Sequence, residues 1–480
     1  MSEVVRIRKN SIFSFFSISS RLIANVVLFL IIARFYGPTL YGQFVFAQSL
    51  SLVFILIADF GIDVLFVNEV ARDRKNAIKL FSQYFSLKIL FCFIALAGMD
   101  IFFFVSNSDF QGRLLILVFS AYMMLTAISN FLYSLFKGFE KLEYEMKVSI
   151  TTNVVLLIVT IVLLVIRASV LSIAIAFVST RILGFVLAVR YSFVVLPDIS
   201  YKLVFSGLNT IKNKVIIFGL HLVFNYLVFQ LDTILLAIWK GDYDVGIYQS
   251  AFKLILIPLL IPEILINVLT PVLSRLNVEN KKQWGYVGNA MSKFLYITII
   301  PISIILFVYS DQIIHIIYGS KNYVNAIPIL RIFALVIFFR FNLETFALML
   351  TTSNKQNVRM YIVIVAALLN FVLNYFAIPH YGAVGAAVVA LITNFFVAAL
   401  YWITTLPFFY QWFFNPKIGV VFAVTLVGII ILWQFKYFTV FVMAPLILFG
   451  FIIIGYYYFL NIDERRILIP DRFRLFTLLH

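Results

Sequence analysis

Cysteine is almost missing from this chain of 480 residues: Cys92 stands alone, so no internal disulfide and no thiolate-rich metal site can form. Charge is scarce as well. Asp, Glu, Lys and Arg make up 12% of the residues, about half of what a water-exposed surface carries, which excludes an ordinary soluble globular protein. The four histidines, His221, His315, His380 and His480, share no metal-ligand spacing. There is no G-x-x-x-x-G-K-S/T loop, so ATP hydrolysis by this chain has no support. No polar stretch is long enough for a water-soluble catalytic domain, and no enzyme activity or cofactor is expected.

What fills the chain instead is apolar. Hydrophobic residues reach 63%, with 54 Phe and 25 Tyr, and the mean hydropathy is +1.05. Read in windows of about 20 residues, the sequence predicts an all-α integral membrane protein with fourteen transmembrane helices. They group as two related six-helix bundles plus two C-terminal helices. The predicted domains are 1–194 (first six-helix lobe), 195–214 (connector), 215–405 (second lobe) and 406–480 (two extra helices and a basic tail). The N-terminal run MSEVVRIRKNSIFSFF carries no cleavage-like pattern and reads as part of a retained first helix. Lys and Arg crowd alternate loops, whereas the opposite loops hold Arg113, Arg167, Lys240, Lys321 and Lys436. That bias predicts both termini in the cytoplasm. It also accounts for the net charge of +16 as topology, without nucleic acid.

Two stretches match at one constant offset. ARFYGPTLYGQFVFAQSLSLVFILIADFGID begins at Ala33, and AIWKGDYDVGIYQSAFKLILIPLLIPEILIN returns later. Gly37 and Gly42 map onto Gly241 and Gly246, Phe44 onto Tyr248, and Asp59 onto Glu263. Paired glycines, an aromatic and an acid at matching points predict an internal repeat, a common plan among secondary transporters. The connector mixes apolar residues with Lys202, Lys212 and Lys214, as an interfacial segment or a plain linker would.

Ionisable groups inside apolar spans are costly and usually face protein or water. Arg34, Lys88, Asp100, Arg190 and Lys293 lie close enough to span ends to snorkel. Arg21 falls near the middle of the first span, either tied to Asp59 or Asp63 or free to meet an anionic substrate. Asp59 and Asp63 are four apart and share a helix face; Asp63 reaches toward the interface, which leaves Asp59 as the better cavity candidate. His221 and Asp232 lie on the seventh span. His221 titrates in the physiological range if unperturbed, or is a packing residue. Lys253 and Glu263 flank Pro258 and Pro262, which predict a bend. Arg340 and Glu344 are spaced for an i,i+4 pair, and Arg331 reads as the freer cation. Arg181 completes a set in which cations outnumber acids, and guanidinium forks suit phosphoryl oxygens. The acids either balance those cations or bind a coupling H⁺ or Na⁺.

The ARFYGPTLYGQF turn followed by ADFGID, the LDTILLA and GIYQSAFKL segments, and YGAVGAA at 381–387 resemble the polysaccharide biosynthesis, or O-antigen-type, flippases of the multidrug/oligosaccharidyl-lipid/polysaccharide exporter superfamily. The likeness covers essentially the whole chain. It implies a multi-pass protein of the cytoplasmic membrane. Its implied activity is flipping a polyprenyl-diphosphate-linked oligosaccharide to the outer leaflet by alternating access of two lobes. Arg21, Lys253, Arg331 and Arg340 are then the substrate-binding cations, with Asp59, His221, Asp232, Glu263 and Glu344 for coupling or charge balance. Membrane lipids, H⁺ or Na⁺, and a polysaccharide polymerase or assembly protein are the implied partners. A drug exporter of the same superfamily and a membrane scaffold of a polysaccharide assembly complex are the alternatives.

Overall fold

The computed structural model of the protein describes residues 3–105, 109–204, 215, 219, 230–319, 321–413 and 440–460, without the side chains of 3–23, 105, 267, 321, 407–413, 452, 454, 456 and 459. Every described span is helical, as it must be where no water is present to satisfy a peptide group. In order they are α1 (Glu3–Asp59), α2 (Ile62–Arg72), α3 (Ala77–Val105), α4 (Phe110–Gly138), α5 (Leu142–Val165) and α6 (Val170–Val195). A short α7 (Gln230–Trp239) follows. Then come α8 (Asp242–Glu279), α9 (Lys281–Val308), α10 (Ser310–Tyr318), α11 (Ala326–Thr352), α12 (Gln356–Phe413) and α13 (Val440–Phe459).

The expectation of fourteen transmembrane helices in two six-helix bundles is overturned. Nine helices among the described residues are long and apolar enough to cross a membrane. The physical reason is visible at two glycines. The windows either side of Gly37 join without a loop: two helical stretches run together as α1 across a break where Gly37 takes φ 74° and ψ 175°. That region is open essentially to glycine alone, and Pro38 then suits a helix start because its missing N–H is not needed there. Gly382 does the same in α12, with φ 56° and ψ −137°. The Gly37–Pro38 turn chemistry was visible in the sequence, and it joins two helical stretches directly, with no loop between them. By contrast, α8 runs on through Pro258, Pro262 and Pro271.

The chain divides into two compact units, Met1–Gln249 and Ser250–His480, and the division falls inside α8. The first unit has an aromatic core. Phe44 packs its ring edge on Phe119 at 5.1 Å and on Phe177 at 5.4 Å, with Phe29 at 5.7 Å. Such edge-on contacts add to dispersion packing, which matters where lipid removes the usual hydrophobic drive between helices. The repeat glycines serve this unit too. Gly241 also has a positive φ, 95°, matching Gly37. Gly42 lies against the backbone of Asp242 and Gly246 against that of Pro38, so closely that a Cβ at either place would overlap a carbonyl oxygen.

The start of the predicted connector is docked. Tyr201 stands edge-on to Phe81 and Phe85 at 5.3 and 5.4 Å, and its hydroxyl hydrogen-bonds with Ser192 Oγ at 2.6 Å. Ser82 Oγ donates to the Ser200 carbonyl, and Ser86 Oγ accepts from Val204 N. Residues 205–214 lie outside the described residues. In the second unit, α13 packs on α9 through Ile300, Ile304, Val308, Tyr309, Val440 and Ile447. Gln312 Oε1 accepts from Val440 N at 2.8 Å, which satisfies one of the amides that a helix start leaves open.

Candidate functional site

The most tightly built cluster of charge lies where the chain breaks between α1 and α2. Phe60 (φ 40°) and Gly61 (φ 79°) leave the helical region, Asp59 ends one helix, and Asp63 lies in the first turn of the next. The Asp63 amide donates to Asp59 Oδ1 at 3.0 Å, so Asp59 caps the restarted helix across the break. Lys88 of α3 reaches both acids. Its Nζ lies 3.1 Å from Asp59 and 2.9 Å from Asp63, and its side chain is 0% exposed. Two carboxylates share one ammonium, so the cluster carries one uncompensated negative charge when all three groups are ionised.

Lys88 does not snorkel, contrary to the expectation for a residue near a span end. Its ion pairs hold it inside. Asp63 faces the same lysine rather than the interface. Arg21 lies on α1, but its side chain is outside the described residues, as is all of His221. Asp232 is buried and accepts a hydrogen bond from the Tyr248 hydroxyl at 2.7 Å. Beside it Gln249 Nε2 donates to Thr233 Oγ1. Tyr248, matched to Phe44 by the repeat, has therefore gained a hydroxyl and an acid to serve.

In the second unit the expected residues lie on two helices, α8 and α11. Lys253 is half-buried on α8. Glu263, matched to Asp59, is exposed, so the two acids of the repeat differ in environment. Arg331 is held by Ser310, whose Oγ accepts from Nε at 2.9 Å; the freer cation of the sequence has a partner at the start of α10. Arg340 and Glu344 are both half-buried on α11. Glu344 and Glu263 lie near enough for their charges to repel.

Sequence reasoning missed the Lys88 connection and the surroundings of Arg181. Arg181 Nη2 donates to the Tyr122 hydroxyl at 3.1 Å, and its guanidinium carbon lies 5.1 Å from the centre of the same ring. The partners are 59 positions apart, beyond any helical spacing that a sequence pattern could expose. No group of three or more His, Cys, Asp or Glu among the described residues could hold a metal ion.

An apolar helical chain with a glycine-kinked first helix, and with charges held inside its spans, matches a known family over more than half its length. Residues 7–277 match the family described as polysaccharide biosynthesis protein. The chain belongs to that family. It is also a member of the multidrug/oligosaccharidyl-lipid/polysaccharide superfamily, and residues 218–376 match the MatE family. An uncharacterised membrane protein of Methanocaldococcus jannaschii is 24% identical over 404 residues, 78% of this chain and 77% of that protein.

Solved structures agree on the fold of this polysaccharide biosynthesis family member. The lipid II flippase MurJ, in an inward closed conformation, superposes with a TM-score of 0.74 at 17% identity, covering 93% of this chain and 99% of that one. An inward-facing multidrug resistance MATE family transporter gives 0.64 at 14% identity, covering 80% and 93%. A superfamily transporter from Pyrococcus furiosus, whose binding pocket is described as having reverse polarity, gives 0.60 at 15%, covering 83% and 94%. These neighbours are transporters, and the chain shares their multi-pass, all-helical membrane fold.

Proposed function

We propose that this protein moves a polyprenyl-diphosphate-linked oligosaccharide from the inner to the outer leaflet of the cytoplasmic membrane by alternating access. The observation that carries the reading is membership in the polysaccharide biosynthesis family across residues 7–277, a stretch that includes Lys253. The cations Lys253, Arg331 and Arg340 within apolar helices support it. Guanidinium and ammonium groups at such depth favour an anionic cargo. Arg21 belongs to the same proposed set. Asp232, Glu263 and Glu344 balance these cations, or take up the coupling H⁺ or Na⁺ together with Asp59 and His221.

The match of residues 218–376 to the MatE family favours a second reading, ion-coupled export of drugs. Purified protein in vesicles with a fluorescent polyprenyl-diphosphate sugar separates the two. Lipid-linked sugar should reach the far leaflet, and Lys253→Ala or Arg340→Ala should slow it about tenfold or more, the size of one lost charged hydrogen bond. Efflux of organic cations without sugar movement would reverse the assignment. Loss of protein in every variant, with no transport by the wild type, would point to a scaffold.

A further inference from the structure

Arg181 lies near the middle of α6, a helix of 26 residues. The exposed stripe of that helix is Ile175, Ser179, Ile182 and Val186. At 3.6 residues per turn, Arg181 points about 100° or more away from each of them. It sits beside the packed face of Phe177, Thr180 and Gly184, yet it remains half-buried rather than sealed.

Its surroundings are short of negative charge. Among the described residues no carboxylate pairs with Arg181, and its neighbourhood is phenolic: Tyr122 accepts one hydrogen bond and offers its ring face, and Tyr133 is the next group whose field reaches it. A guanidinium has five N–H donors, and a single phenol oxygen leaves most of the fork unused. A phenol also cannot cancel a unit charge. A cation kept in an apolar span without a counter-charge is costly, and an uncharged side chain would join α4 to α6 at lower cost. The geometry is that of a positive site held in position and awaiting an anion.

We propose that Arg181, oriented by Tyr122, is an anchor for a phosphoryl group of the lipid-linked substrate. This inference rests on the reading of the protein as a carrier of diphosphate lipids and adds a residue of the first unit to it. The planar fork matches two phosphoryl oxygens at once, and Tyr122 holds the plane by one edge while its ring covers one face. The same chemistry would also take the headgroup phosphate of an anionic membrane lipid, so the test carries an arm for that source.

The full-length protein in phosphatidylcholine nanodiscs is titrated with farnesyl diphosphate, with inorganic diphosphate and with farnesol, and its thermal midpoint is recorded. Wild type should bind farnesyl diphosphate and not farnesol. Arg181→Gln should weaken binding about 10- to 100-fold, the range for a charge-assisted contact, with no fall in midpoint. Arg181→Lys, which keeps the charge and loses the fork, should fall between. Tyr122→Phe should weaken binding a few-fold. If Arg181→Gln does not fold, the Lys and Phe variants decide by the same criterion. Unchanged affinity in these variants overturns the inference alone, whereas no binding by the wild type overturns it together with the functional reading. A drop in midpoint with affinity intact would make the pair a helix clamp. Equal displacement by phosphatidylglycerol would assign the site to membrane lipid instead of substrate.

Discussion

Replacing Lys88 by Met should be among the most damaging single changes in the first unit. The lysine is fully buried and lies 3.1 and 2.9 Å from Asp59 and Asp63, so its loss leaves two carboxylates facing each other with no cation. Breaking a buried ion pair by removing one partner costs about 3–5 kcal/mol. For a unit of this size that corresponds to a fall in thermal midpoint on the order of 10 °C. Asp63→Asn makes the opposite change. It leaves Lys88 and Asp59 as a one-to-one pair and relieves the repulsion between the acids, so its cost should stay near the ~1 kcal/mol of one net hydrogen bond. Neutralising all three residues should recover most of what Lys88→Met loses, because an uncharged cluster has no stranded ion to desolvate. The assay is the thermal midpoint of purified full-length protein in detergent, followed by intrinsic fluorescence. A Lys88→Met protein as stable as the wild type, or an Asp63→Asn protein as damaged as Lys88→Met, would refute the reasoning.

Four further outcomes are expected. Gly42→Ala or Gly246→Ala would put a methyl group into a backbone carbonyl of the neighbouring segment, and either should lower the thermal midpoint by an amount typical of overpacking, about 1–3 kcal/mol. Tyr248→Phe leaves the buried Asp232 carboxylate without its 2.7 Å donor; a loss of about 1–3 kcal/mol is expected in the same assay. Thr352→Val removes the acceptor to which the indole N–H of Trp284 donates at 3.0 Å, and should show a comparable fall. In the exposed turn after α2, hydrogen bonds from Asn76 hold the Asp73 carboxyl below its ordinary value. A depressed carboxyl favours the folded turn above the ordinary carboxylate pKa and loses that effect as pH falls through the depressed value. Amide exchange at Asn76, corrected for the intrinsic rate, should therefore be slower at pH 7 than at pH 3, and a flat profile would contradict it.

Much of the helical character was legible because apolar runs of membrane length have few other folds open to them. One glycine was legible too: the Gly-Pro turn marked Gly37, which adopts positive φ, whereas Gly382, which does the same, drew no separate notice. What stayed hidden is that the helical stretches on either side meet without a loop, since a direct break and a loop look alike in sequence when both flanks favour helix. The charges were harder. Lys88 was placed near a span end, where snorkelling is the ordinary outcome, and nothing in its spacing from Asp59 and Asp63 could show that α3 packs beside the α1–α2 break. Arg331 looked unattached because its partner, Ser310, is an uncharged residue on a separate short helix. Arg181 drew notice only as one cation of several, since the phenol that holds it comes from another helix altogether.

The boundary between the compact units falls at Gln249 and Ser250, within the unbroken helix α8. A cut there would strand up to four carbonyls on one fragment and four amides on the other, in surroundings without water to take them up. Proteases therefore find no slack strand at that point. Co-expressed fragments severed at this junction should reassemble poorly, and a two-piece version of the protein is better divided at the Lys240–Gly241 turn, where the helical ladder already stops.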